Sequence, residues 1–405
     1  MSSDPRILII GGGVIGGSVL HTLLHDGFQG HVTVFDALEG TGRGSTAYTA
    51  GGFRNLWTTP ANMQLMNYSI ARFKEFEAEF GLSIGFHQVG YLFTYYDKGF
   101  RWARDFVPTW QENDVRVELL RPDDIEQLIP GLRAGTDHID PEVLEVMGLQ
   151  EIAGGVFGPD CGVFDPTAVC QGYFDRSLEH WADRIEMRMS TRVAKILLTG
   201  DRVRGLELES GEVVEGDVIV LAAGAWVSGL LEKSGFSDKD NVPVDALKRM
   251  LFVTNLPPHE GYENIPLTII DKGIYFRYEA GSLMIGRARN PQTPGFETEP
   301  ELDYYINEIN VYLQERVQGA ERCRLVSPNS MWGGLYPECR LDHNGIIGWH
   351  PRCKGLMLAC GFGGHGAMQA PATGKCVSEL IRLGRYETVD ASALDFLRFE
   401  ENRYL

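Results

Sequence analysis

Gly11, Gly13 and Gly16 stand in GGGVIGG directly after the apolar run RILII, and Asp36 closes a second apolar run, HVTVFD, twenty residues after Gly16. Glycines at that spacing let the backbone turn tightly, so that N–H groups and a helix N-terminus can approach a pyrophosphate; an acid about twenty residues on can accept a ribose hydroxyl. With Val14, Ile15 and Ala37 in the same segments, the pattern predicts a dinucleotide site. A second cluster, GFGGHGAMQAP at 361–371, carries Gly361, Gly363, Gly364 and Gly366 around His365. A phosphate cradle accounts for glycines but not for this histidine. A loop that reaches the far end of a long bound cofactor favours FAD over NAD, as does the stretch VIVLAAGAW with Ala223, Gly224 and Trp226.

Elements must hold these loops. The chain predicts a strand at 6–11, a glycine turn and amphipathic helix over 11–27, and a strand at 31–36, which is a βαβ unit. A loop of small residues, GTGRGSTAYTAGGFRNLW (40–57), precedes a helix from about Pro60 to Phe80 that Gly81 ends. Strands follow at 89–96, through a meander from about Arg192, and at 250–256, 273–279 and 282–286, with helices near 98–113, 299–319 and 370–384. The simplest architecture is α/β, a two-domain α+β arrangement. A Rossmann-like domain of the glutathione-reductase type (1–81, 156–241 and 326–405) is interleaved with an antiparallel-sheet substrate domain (82–155 and 242–325).

Composition narrows the partners. The 405 residues are 43% hydrophobic, enough for a large core, and the formal charge of −18 disfavours nucleic acid and anionic membrane surfaces. The seven cysteines form no CxxC pair and no zinc-type spacing, so no metal is expected, and an odd scattered set fits a reducing cytoplasm. No apolar run is long enough to span a membrane, and MSSDPR does not read as a signal segment. The expected partner is a small molecule, in a cytoplasmic protein that can be free-standing or part of a homo- or hetero-oligomer.

GGGVIGGS with VTVFD, GSTAYTAGGFR, LLRPDDIEQLIPGL, GVFGPDCGVFDPTAV, VIVLAAGAW, GIYFRYE, LDHNGIIG and CGFGGHGAMQAPATG, in this order, resemble the FAD-dependent D-amino-acid oxidase superfamily over nearly the whole chain. The resemblance is strongest to its sarcosine oxidase, dimethylglycine dehydrogenase and L-proline dehydrogenase β-subunit branch. It implies FAD bound extended, with AMP at Gly11–Gly16 and Asp36. It brings Arg43, Gly44, Ser45, Thr46, Ala50, Gly51 and Gly52 of the small-residue loop to the cofactor, Val193 to the adenine, and the flavin ring to 361–368. A helix beginning after the second loop would turn its positive end toward the flavin.

The implied reaction is oxidation of a C–N bond. A neutral amine loses hydride from its α-carbon to flavin N5, and the imine is later hydrolysed. Arg54 matches the arginine that grips the substrate carboxylate in monomeric sarcosine oxidases, and its planar fork suits that task. Other positions depart from the pattern. Met368 replaces a second carboxylate-binding lysine, Met284 the lysine linked to oxygen activation, and Ala288 a nearby histidine. Tyr336 stands where D-amino-acid and glycine oxidases place their carboxylate arginine. The flavin-linking cysteine would fall near Gly334 or Leu335, so noncovalent FAD is expected, with Cys339 close by.

Tyr275 and Arg277 alternate in GIYFRYE, so they share a strand face and can line the pocket. Lys248 and Arg249 face either the flavin or solvent. His365 is expected to position its loop or touch flavin, since hydride loss from a neutral amine needs no strong base. The electrons pass to O2, or to an acceptor protein or quinone. Two alternatives stay open: an FAD-dependent 2-hydroxy-acid oxidoreductase, and a flavin-binding assembly factor without catalysis.

Overall fold

The computed structural model describes residues 5–405. The βαβ unit forms as expected: strand Ile7–Ile10, helix Val14–His25 and strand Val32–Phe35. Both strands are apolar almost throughout because they lie in the middle of a six-stranded sheet covered on both faces. The sheet runs Ile346–Trp349, Leu356–Cys360, Val218–Leu221, Ile7–Ile10, Val32–Phe35, Ile185–Arg188, and only its first strand is antiparallel to its neighbour. Alternation decides what each face meets. Ile7 and Ile9 pack under the helices with Val220 and Ala359, whereas Leu8 and Ile10 pack with Leu206 and Leu230 of the meander side.

The helix Pro60–Phe80 ends where expected, at Gly81, whose left-handed backbone closes the last turn on Glu77. Helix Pro166–Trp181 packs on helix Val14–His25, and its start is marked in its own sequence. Asp165 accepts from the Thr167 and Ala168 amides at 2.8 and 3.1 Å, and Pro166 occupies the first helical position. The helix expected at 370–384 begins earlier, at Gly366, and runs to Leu383. Pro371 therefore lies inside the helix, where it removes one backbone bond without ending it.

The second sheet has eight strands. They run Met331–Cys339, Val244–Asn255, Ser282–Arg287, Ile274–Glu279, Leu267–Ile270, Tyr91–Tyr95, Gly154–Gly158, Glu118–Leu120, and all pairs are antiparallel except Leu267–Ile270 with Tyr91–Tyr95. Gly154–Gly158 spans the boundary expected at 155/156, and Met331–Cys339 lies wholly within 326–405, expected in the other domain. Their ladder partners, Tyr91–Tyr95 and Val244–Asn255, tie both strands to this sheet and not to the first.

The two faces of this sheet differ in chemistry. Leu92, Met250, Phe252, Phe276, Leu283 and Ile285 point into an apolar core with Tyr305, Ile309 and Leu313 of the acidic helical segment. The pairs Tyr275 with Gly286, Arg277 with Met284, Ile269 with Phe93, Arg249 with Gly334 and Leu247 with Tyr336 put the alternate residues on the other face. Tyr91, Phe93 and Tyr95 join them, and that face is turned toward the first sheet and its loops.

Candidate active site

One cavity of about 430 Å³ has both glycine loops in its wall. At one end lie Gly11, Gly13, Val14 and Ile15, with Asp36 and Ala37 beside them. Gly44, Ser45 and Thr46 form one side, Val193 another, and Ala223, Gly224 and Trp226 a third. Gly361, Gly363, Gly364 and Gly366 close the opposite end. Two loops far apart in sequence thus share the wall of one cavity.

The walls fit a dinucleotide. Gly11 has φ +117°, and a Cβ there would lie 2.2 Å from the Ala222 carbonyl oxygen, so only glycine lets the first strand run this close to its neighbour. Gly16 lies outside the cavity and serves packing instead, since a Cβ would meet the Gly11 carbonyl at 1.9 Å. The Thr46 hydroxyl accepts from the Val14 amide at 3.2 Å and ties the small-residue loop to the helix N-terminus. Each Asp36 oxygen takes one backbone amide, Gly12 at 2.7 Å and Leu38 at 2.8 Å, which fixes the carboxylate at the loop and leaves lone pairs for ribose hydroxyls. At the other end Gly366 and Ala367 open the 18-residue helix Gly366–Leu383 onto the cavity, so a helix N-terminus meets the ligand at each end.

Other expected contacts lie elsewhere. Arg43 is exposed and outside the cavity wall. Ala50, Gly51 and Gly52 pass behind it; Gly51 borders a second cavity, of about 690 Å³, and Gly52 pairs with Val163. Met368 is 6% exposed and packs in the core under the first sheet, because the early helix start turns it inward. Met368 therefore does not border the cavity.

Arg54 is half-buried, with its guanidinium carbon 4.0 Å from the Trp57 ring centre and 5.4 Å from that of Phe93. It donates to the Leu56 carbonyl and faces the Tyr91 hydroxyl, with Tyr95 and Cys161 nearby. Burial lowers its pKa, and among the described residues no carboxylate pairs with it. A guanidinium retains its charge here, and its partners are carbonyl and hydroxyl oxygens, not a carboxylate.

Trp57 also links Arg54 to the second loop. Its ring meets His365 edge-on at 4.4 Å. His365 precedes helix Gly366–Leu383, and its carbonyl accepts from the Gln369 amide at 3.0 Å. Burial first, and then the Arg54 charge, push its imidazole down to about 3. It is neutral at physiological pH and a weak base.

That shift has a sign. Histidine in the unfolded chain takes a proton near 6.5, while folded His365 resists until about 3, so the unfolded state binds more protons in between. Stability is then lost as pH falls from 6.5 toward 3, by at most about 1.4 kcal/mol per unit from this residue. His365→Asn is expected to flatten that acid limb in urea titrations between pH 6.5 and 4; an unchanged limb would show that His365 is not held neutral.

The expected face of GIYFRYE divides between two places. Tyr275 leans over Gly286, where a Cβ would lie 2.3 Å from its hydroxyl, and faces Tyr336. Tyr336 borders the main cavity and lies against Gly364 of the second loop. Arg277 instead borders the second cavity with Met284, its ladder partner; it donates to the Ala50 carbonyl at 2.6 Å and is paired with Glu279. It is a strap between the sheet and the small-residue loop and does not border the main cavity.

Lys248 and Arg249 resolve oppositely. Lys248 is neutralised by Glu297 and by Glu301, the latter at 2.8 Å, on the face away from Tyr336. The next residue, Arg249, stands 5.1 Å from the Tyr336 ring centre on the tyrosine face. Sequence alone named it without placing it, because only strand register decides which of two adjacent cations turns inward.

Two thiols bear on cofactor attachment. Cys339 is fully buried and donates to the Asp342 carboxylate at 3.2 Å, and Cys360 reaches the cavity wall but burial holds its thiol far above the usual range. Neither is a ready nucleophile. Trichloroacetic acid is expected to release the flavin into the supernatant; a yellow pellet would demonstrate a covalent link. All seven cysteines are free and buried. Among the described residues no acid, histidine and cysteine cluster could hold a metal, and no helix is long and apolar enough to cross a membrane.

Comparison with known proteins agrees with this geometry. The family model described as DAO, FAD dependent oxidoreductase, matches residues 6–380. FAD-dependent oxidoreductase domain-containing protein 1 of Xenopus laevis is 26% identical, over 97% of this chain and 82% of the relative. Human mitochondrial sarcosine dehydrogenase is 24% identical over 99% of this chain, which spans 42% of that protein. The crystal structure of L-proline dehydrogenase from P. horikoshii superposes with a TM-score of 0.84 at 24% identity, and each chain is covered completely. The chain belongs to the DAO family of FAD-dependent oxidoreductases, and its cofactor is FAD.

Proposed function

We propose that this DAO-family oxidoreductase oxidises the C–N bond of an amino acid whose carboxylate is held by Arg54. One observation carries the reading: an uncompensated guanidinium packed between aromatic rings, joined through Trp57 to the loop at the reactive end of the cavity. A carboxylate entering there supplies the missing charge and accepts parallel N–H bonds in surroundings that strengthen them. When bound, FAD accepts the hydride that leaves the α-carbon of the neutral amine, and the resulting iminium ion is hydrolysed by water to a carbonyl and a free amine.

The chain supplies binding, orientation and dryness. Arg54 fixes the carboxylate, and Trp57, Phe93 and Tyr91 limit where the carbon skeleton can lie. Neutral His365 at the helix start leaves the positive end of that helix unopposed, which favours negative charge at that end of the cavity. A secondary or tertiary amine suits this pocket because no basic side chain is needed to deprotonate it if it binds neutral. A 2-hydroxy acid needs a base for its hydroxyl proton, and an imidazole held near 3 serves that poorly.

In this reading the two sheets mark a cofactor domain and a substrate domain, with Gly154–Gly158 and Met331–Cys339 in the latter. The seven unpaired thiols support a reducing compartment, for which we propose the cytoplasm. The test is anaerobic mixing of the purified yellow protein with N-methyl, cyclic and primary amino acids and with 2-hydroxy acids. Bleaching by an amine is expected, and subsequent reoxidation by O2 or by a dye identifies oxidase or dehydrogenase. Bleaching by hydroxy acids alone would overturn the C–N reading, and no bleaching by any of them would favour an assembly role.

A further inference from the structure

A second cation, Arg249, lies beside the tyrosines Tyr336 and Tyr275 without an acidic partner. Arg249 is half-buried, donates to the Lys248 carbonyl at 3.1 Å and contacts the Gln292 side chain, so its hydrogen bonds are partly met while its charge is not. Its neighbours on that face are tyrosines: Tyr336 under its guanidinium, and Tyr275 next to Tyr336. Tyr91 lies close to both of these and to Arg54. Two uncompensated guanidiniums are thus joined by three buried hydroxyls.

The three most buried arginines differ, although half-buried Arg133 and Arg184 also bond only to carbonyls. Arg277 has Glu279, Arg316 has Asp271 and Arg398 has Asp342, as burial of a charge ordinarily requires. In an acidic chain of charge −18, carboxylates to pair with Arg249 are plentiful, and Lys248 beside it has two. Leaving both Arg54 and Arg249 unpaired around one group of tyrosines costs stability, which a ligand bringing two negative charges would offset.

We propose that the substrate is a dianionic amine, an amino acid carrying a second carboxylate. Arg54 takes one carboxylate and Arg249 the other, with the Tyr275 and Tyr336 hydroxyls beside it. This rests on the C–N oxidation reading and narrows it from amino acids at large to amino dicarboxylates. Tyrosines suit the span between the cations, since their rings pack against the carbon chain while their hydroxyls meet its ends.

The test compares N-methylglutamate and N-methylaspartate with N-methylglutamine and N-methylasparagine, both enantiomers of each, in anaerobic flavin reduction by the holoenzyme. The dicarboxylates are expected to have reduction rates per concentration at least about thirtyfold above their neutral-ended isosteres, the gain of one desolvated charge-assisted pair. Arg249→Gln is expected to bring that ratio to within about threefold of unity; a structural role would lower all substrates together and preserve it. A binding readout runs beside it on wild-type protein. Glutarate should perturb the visible flavin spectrum at concentrations at least about thirtyfold below glutaramate.

Equal rates for the two classes, or a ratio that survives Arg249→Gln, would overturn the dianion proposal and leave C–N oxidation standing. Equal binding of glutarate and glutaramate would do the same even if Arg249→Gln fails to fold. Failure of every amine to reduce the flavin would overturn both readings.

Discussion

Replacing Arg54 by alanine is expected to raise the substrate's apparent binding constant at least about tenfold, through loss of roughly 1.5–3 kcal/mol of charge-assisted hydrogen bonding. The flavin content should not change, because Arg54 borders the aromatic pocket and not the dinucleotide cavity. Stability distinguishes a binding role from a structural one. Removing one partner of a buried ion pair costs about 3–5 kcal/mol by stranding the other charge. Arg54→Ala leaves the Leu56 carbonyl and the Tyr91 hydroxyl short of a partner but strands no charge, so the melting temperature should move by no more than about a few degrees.

The lysine variant adds a second control. Arg54→Lys keeps the charge but loses the planar fork and the stacking on Trp57, so it should bind between wild type and alanine. Loss of the positive charge in Arg54→Ala also removes the second cause of His365's low basicity, and the His365 pKa should rise in that variant. Unchanged substrate binding in Arg54→Ala would remove Arg54 from the site.

Legibility followed the range of the physics. The first loop could be read because strand, turn, helix and acid are contiguous, and each part constrains the next within 36 residues. The Pro60–Phe80 helix carried both of its end signals in its own sequence. Arg54 was identified through the resemblance, while its isolation from any acid became visible only in three dimensions. Met368 and Arg249 show the limit. One depends on where a glycine-rich turn becomes a helix, and the other on the pairing of strands eighty residues apart, Val244–Asn255 and Met331–Cys339. A shift of one residue in that register would exchange Lys248 and Arg249 and change the chemistry of the pocket.

Gly11→Ala is expected to abolish FAD binding. A Cβ at this position would lie 2.2 Å from the Ala222 carbonyl oxygen and 2.7 Å from its carbon, with φ at +117°, a conformation that alanine resists. Both obstacles are backbone, so neither can turn aside as a flexible side chain could. Relief requires the strand Ile7–Ile10 to separate from Val218–Leu221 or the loop to rise into the space the pyrophosphate needs. The prediction is a colourless protein, with a flavin-to-protein ratio below about one tenth of wild type and no thermal stabilisation by added FAD. Asp36→Asn keeps the fold under test at the same site. Its amide oxygen can replace one of the two acceptors used by Gly12 and Leu38, so the protein should fold, retain partial flavin and bind it more weakly. Full flavin in Gly11→Ala would mean that the first glycine loop does not carry the cofactor's phosphates.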